Sequence, residues 1–147
     1  MKTANLLLTG VLATASTFLA AESIVNASIP VNFGRILNLT HSNCTLNSGS
    51  AELSGMACLD SIGTLGEITI NATANQSYTV TLFPPAGPSN QVSYQPLLAN
   101  DSVIDTVSAD ADGRFTLQIG GVLSTGGTAP STGALTDFVY TIRVDSN

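Results

Sequence analysis

At 147 residues, with ten Asp and Glu against four Lys and Arg and a formal charge of −6, the chain is acidic and long enough to bury one core. Its single lysine is Lys2, so past residue 21 only Arg35, Arg114 and Arg143 carry positive charge, and the clustered cations that phosphate binding needs are missing, which argues against nucleic acid as a partner. Thr, Ser, Asn, Gly, Val, Ile and Leu dominate, Trp is absent and helix formers are scarce, a mixture suited to short strands joined by turns.

Lys2 is followed by an uncharged run over 5–20 that ends in small residues before Glu22, with a cleavage position after Ala21. This pattern predicts a secretory signal peptide over 1–21 and a single β-sandwich domain over 22–147. The apolar run is short for a membrane span and is broken by Thr and Ser, so no span is expected after processing. Cys44 and Cys58 then enter an oxidising compartment, and an even pair at this spacing predicts a local disulfide. Closing a loop of ~15 residues contributes about 3 kcal/mol in the chain-entropy account.

Along 23–32, apolar residues recur at Val25, Ala27, Ile29 and Val31, and Phe33 continues the series. Pro30 cannot donate to a ladder, which predicts an edge strand or an extended arm. Gly34 predicts a bend before a second strand over 35–39. Residues 40–64 dissolve into Ser, Asn, Gly and the two cysteines and read as a disulfide-tied excursion, with at most short strands, for example over 51–53. Residues 67–72 place Ile68, Ile70 and Ala72 on one face, and residues 77–83 do the same with Tyr78, Val80 and Leu82. The short polar link Thr73-Ala74-Asn75-Gln76 between them predicts a hairpin. Pro84-Pro85-Ala86-Gly87-Pro88 stops the second strand.

Further strands are predicted over 91–98, over 103–107 and over 114–119, where Phe115, Leu117 and Ile119 share a face and Gly120-Gly121 ends or kinks the run. In the closing stretch Phe138, Tyr140, Ile142 and Val144 point one way and Val139, Thr141, Arg143 and Asp145 the other, the alternation of a half-buried strand. Seven to eight strands without a helix predict an all-β, immunoglobulin-like or pilin-like antiparallel β-sandwich.

The chemistry-bearing residues form no constellation. His41 is the single histidine, there is no lysine past residue 2 and no G-x-S-x-G elbow, so the many Ser and Thr lack a base and an orienting group. The expectation is no enzyme activity, no catalytic or metal residues and no cofactor. Asp110-Ala111-Asp112-Gly113 has the start of a calcium loop, but its twelfth position is Gly121 where a Glu is required. A turn held by Asx hydrogen bonds is predicted instead.

Three segments taken together resemble the secreted bacterial family known as domain of unknown function 4402: Phe33-Gly34-x-Ile36; Gly113-x-Phe115 with Ile119-Gly120-Gly121-x-Leu123; and Gly133 ahead of the strand from Phe138 to Val144. The resemblance implies a pilin- or fimbria-like organisation, no enzymatic role and a Gram-negative location, secreted to the periplasm, the outer-membrane surface or a fimbrium. The expected partners are like subunits or a periplasmic assembly chaperone. The expected function is a structural subunit of a surface fibre assembling by donor-strand exchange, with Val25, Ala27, Ile29, Val31 and Phe33 of the N-terminal arm as subunit contacts. The alternative is a monomeric secreted or surface adhesion module whose loops over 40–64 and 125–136 contact carbohydrate or a host surface.

Overall fold

The computed structural model describes residues 24–133 and 136–147; the signal peptide predicted over 1–21 lies outside them. Nine strands follow in order: β1 (Ile24–Ile29), β2 (Asn43–Leu46), β3 (Leu53–Ser54), β4 (Gly66–Asn71), β5 (Ser77–Phe83), β6 (Val92–Leu98), β7 (Ile104–Ser108), β8 (Arg114–Thr125) and β9 (Thr141–Ser146). They form two antiparallel sheets. The larger runs β1-β4-β8-β2-β3 with β6 also on β8, and the smaller runs β7-β5-β9. Among the described residues the fold is all-β, and the two sheets pack as a β-sandwich.

The long strand β8 organises the larger sheet. Its first half pairs with β4 from Arg114↔Asn71 to Ile119↔Gly66, and its second half takes β2 on that same edge, with Leu123 opposite Cys44. On the other edge β6 runs from Thr125↔Val92 to Ile119↔Leu98. Gly120 and Gly121 lie where β4 hands over to β2. A Cβ on Gly120 would strike the Leu46 carbonyl oxygen, and one on Gly121, whose φ is +142°, would strike that of Gln95. The glycine pair therefore lets two backbones close on β8 from opposite sides.

Alternating side chains build two adjoining cores. The first gathers Ile68, Ile70, Tyr78, Val80, Leu82, Leu98, Phe115, Leu117 and Ile119 from both sheets. The second holds Phe33, Cys44, Leu46, Ala57, Val92, Tyr94 and Leu123, and it is covered by the segments over 31–65 and 138–140 rather than by strands of the smaller sheet.

Several expectations are corrected. The strands over 67–72 and 77–83 exist as β4 and β5, but they are not a hairpin: β4 pairs with β1 and β8, while β5 pairs with β7 and β9. The link crosses from one sheet to the other, and the Thr73 N–H donates to the Tyr78 hydroxyl at 2.8 Å to fix the crossing. Residues 35–39 make only an isolated bridge, Ile36↔Cys58, because their backbone is spent on the disulfide segment. The excursion over 40–64, expected to hold at most short strands, contains β2 and, overlapping the expected 51–53, the two-residue β3. Among the described residues nine strands stand in place of the seven to eight expected. Gly120-Gly121 does not end the strand, since β8 continues to Thr125. In the closing stretch the alternation is as expected: Phe138, Tyr140, Ile142 and Val144 pack against the cores and Val139 is 86% exposed.

Candidate functional site

Among the described residues the N-terminal arm is the edge strand of the larger sheet and pairs with β4 alone. Its register puts Ser28 opposite Ile68 and Ile29 opposite Glu67, with a shift between Val25 and Ala27. Ile68 is buried in the first core, so its neighbour Glu67 faces outward, and Ile29 faces outward with it. Ile29 is 48% exposed. The five arm residues therefore do not share one apolar face within the chain. Val31 is half-buried against both cores and Phe33 is buried in the second. Val25 and Ala27 belong to the part of β1 whose backbone alone is described.

Past Phe33 the chain is tied down. Gly34 takes φ +66° and has no room for a Cβ beside the Asp60 carboxylate. The next backbone N–H, on Arg35, donates to that carboxylate at 2.7 Å and the Arg35 guanidinium donates to it at 2.9 Å. These bonds hold the Asp60 carboxyl below its ordinary range. Leu37 N–H donates to the Ala57 carbonyl and Leu59 N–H to that of Arg35. The expected disulfide joins Cys44 and Cys58 with a Cα–Cα distance of 4.9 Å, and Cys44 is fully buried. Pro30 thus separates the edge strand from an anchored segment.

Beside that anchor lies a groove of about 860 Å³, walled by Phe33, Val92, Tyr94, Leu123, Phe138 and Tyr140 among others. Tyr94 is its centre: the Phe33, Phe138 and Tyr140 rings stand 5.8, 5.7 and 5.9 Å from it, centroid to centroid. Burial raises the phenol pKa of both Tyr94 and Tyr140. The sequence reading missed this cluster, because its members come from three distant stretches and each was accounted for as one position of a strand.

His41 is exposed at the turn before β2, where its N–H donates to the Gly126 carbonyl at 2.9 Å. Asp110 accepts from the N–H groups of Asp112 and Arg114 at 2.9 and 2.8 Å, the Asx-stabilised turn that was expected.

No family model, no curated protein and no solved structure matches this chain.

Two outer strands are partly occupied along their free edges. On β6, Pro96 has no N–H to offer and its carbonyl accepts from the Gln95 amide at 3.2 Å, while Val92 and Leu98 bond to Ser89 and Ser102. On β7, the Ile104 N–H donates to Ser102 Oγ, the Ile104 carbonyl accepts from the Asn100 amide, and the Thr106 N–H donates to Asp105 Oδ1. Side chains here occupy groups that would otherwise recruit a foreign strand.

Proposed function

We propose that the chain is a non-enzymatic secreted subunit of a bacterial surface fibre that assembles by donating its N-terminal arm to a like subunit. The observation that carries this reading is the outward-facing Ile29. In its own domain the arm lies on β4 in a register that leaves this apolar side chain half in water opposite Glu67. A one-residue slip turns a strand's side chains to the opposite face, and an arm received by a neighbour's β4 in the slipped register would turn Ile29 toward the core. Head-to-tail donation of this kind propagates as an open filament. The disulfide fits a secreted location, and among the described residues no helix is long and apolar enough to cross a membrane.

The test uses the chain from Glu22 onward and a synthetic peptide copying residues 23–33. Oligomers that grow with concentration, and that excess peptide caps, are expected. Ile29→Asp, tolerated where Ile29 faces water, is expected to abolish growth beyond a dimer and any response to the peptide, while the melting temperature is kept. A chain that stays monomeric and gains no stability from the peptide sinks the proposal.

The aromatic groove favours a second reading, a binding module that takes a ligand between residues 30–38 on one side and residues 130–133 and 136–140 on the other. Binding of soluble glycans, abolished by Tyr140→Ala, would select it over the fibre subunit.

A further inference from the structure

The geometry points to a second assembly surface: the outer edge of β9, which pairs antiparallel with the β9 of another copy about a two-fold axis through Val144. The surface is separate from the arm and does not depend on arm donation.

The edge is open along its length where others are partly capped. Asn147 N–H donates to the Ser77 carbonyl, so the odd-numbered residues of β9 bond inward to β5. The N–H and carbonyl groups of Ile142, Val144 and Ser146 then point away from the sheet, because bonding direction alternates along an antiparallel strand. No hydrogen bond reaches these groups among the described residues, in contrast to the side-chain-capped edges of β6 and β7.

The sequence of the edge names its partner. Arg143 and Asp145 stand on the solvent face, 61% and 51% exposed, with Arg143 Nε donating to Asp145 Oδ2 at 2.8 Å. Pairing two such strands with Val144 opposite Val144 makes that pair hydrogen-bonded, as the outward groups require. It also sets Arg143 of each copy opposite Asp145 of the other, in the non-hydrogen-bonded positions where side chains approach most closely. Every charge then has only opposite charges as neighbours, along its own strand and across it. Moving the axis by one residue in either direction puts Arg143 opposite Arg143 or Asp145 opposite Asp145. The charges therefore select one register, and they select a second copy of this chain as occupant. The product is a continuous six-stranded sheet made from two β7-β5-β9 sheets.

The test is charge reversal on the processed chain carrying Ile29→Asp, which keeps the arm from contributing. Analytical ultracentrifugation over a concentration series is expected to show a monomer–dimer equilibrium weakened by salt. Arg143→Asp alone and Asp145→Arg alone are each expected to weaken the dimer by about tenfold or more, since each turns two cross-strand attractions into repulsions. The double exchange, Arg143→Asp with Asp145→Arg, restores the alternation and is expected to restore the dimer. A chain that is monomeric into the millimolar range overturns the proposal, and so does a dimer indifferent to single reversal or not rescued by the double exchange. None of these outcomes bears on arm donation, which involves neither residue.

Discussion

Tyr94 joins the two edges of the larger sheet's second half to the groove. Its hydroxyl donates to the Gly120 carbonyl at 2.7 Å, on the strand where the glycine pair admits β2 and β6. Burial, with a smaller contribution from Tyr140, raises its pKa above the ordinary value of 10.0. A tyrosine raised in the folded state contributes stability that is whole below the unfolded value, about pH 10, and is lost as pH climbs from there through the folded value. Tyr94→Phe removes one buried hydrogen bond to the Gly120 carbonyl, and is expected to cost about 0.5–1.5 kcal/mol at neutral pH in urea denaturation. The same variant is expected to show a shallower loss of stability above about pH 10, with the remaining slope due in part to Tyr140. At this scale the sequence disclosed that Gly120-Gly121 interrupts a pattern, but not why. The colliding carbonyls belong to Leu46 and Gln95, which no local window connects to residue 120.

Among the elements, alternation of apolar residues was enough to find β4, β5, β6 and β8, which place two or more large side chains on a buried face, and β9, whose Ile142 and Val144 are half-buried; β7, with Ile104 exposed and Val107 half-buried, offered a weaker pattern. It could not find β2, whose Asn-Cys-Thr-Leu offers only Cys44 and Leu46 inside a polar stretch. Nor could it tell a hairpin from a crossing between sheets, since Thr73-Ala74-Asn75-Gln76 is as short and polar as either demands. Half of the candidate site was legible: Val31 and Phe33 belong to an alternating series, whereas Tyr94, Phe138 and Tyr140 meet them only in three dimensions. The edge of β7 provides a prediction at this scale. Asp105 lies opposite the buried Val80 and accepts from the next N–H at 2.8 Å, placing a carboxylate at the rim of an apolar sheet. Asp105→Val uncovers that edge and is expected to raise light scattering and thioflavin binding on mild heating, with far-UV circular dichroism of the fresh protein unchanged.

For the molecule as a whole, the two cores differ in how they are closed. The first is a packing of sheet on sheet, while the second is covered by loops that Cys44–Cys58 and the Arg35–Asp60 pair hold in place. Reduction of the disulfide is therefore expected to act unevenly. Amide exchange is expected to accelerate around Leu46, Ala57 and Leu123, while Ile70, Val80 and Leu117 keep their protection. Uniform acceleration of both groups would mean that the cores unfold as one unit.

That same bond has a mechanical consequence. Cys44 and Cys58 are 14 positions apart in sequence, and their Cα atoms are held 4.9 Å apart. A free segment of that length could pay out about 45 Å when pulled straight. Tension applied between the arm and the final strand cannot draw on this slack while the sulfurs are joined, so β2, which Cys44 begins to anchor, stays short of contour length even after its hydrogen bonds yield. Oxidised, the chain has a built-in stop to extension; reduced, the same sequence is longer and more compliant.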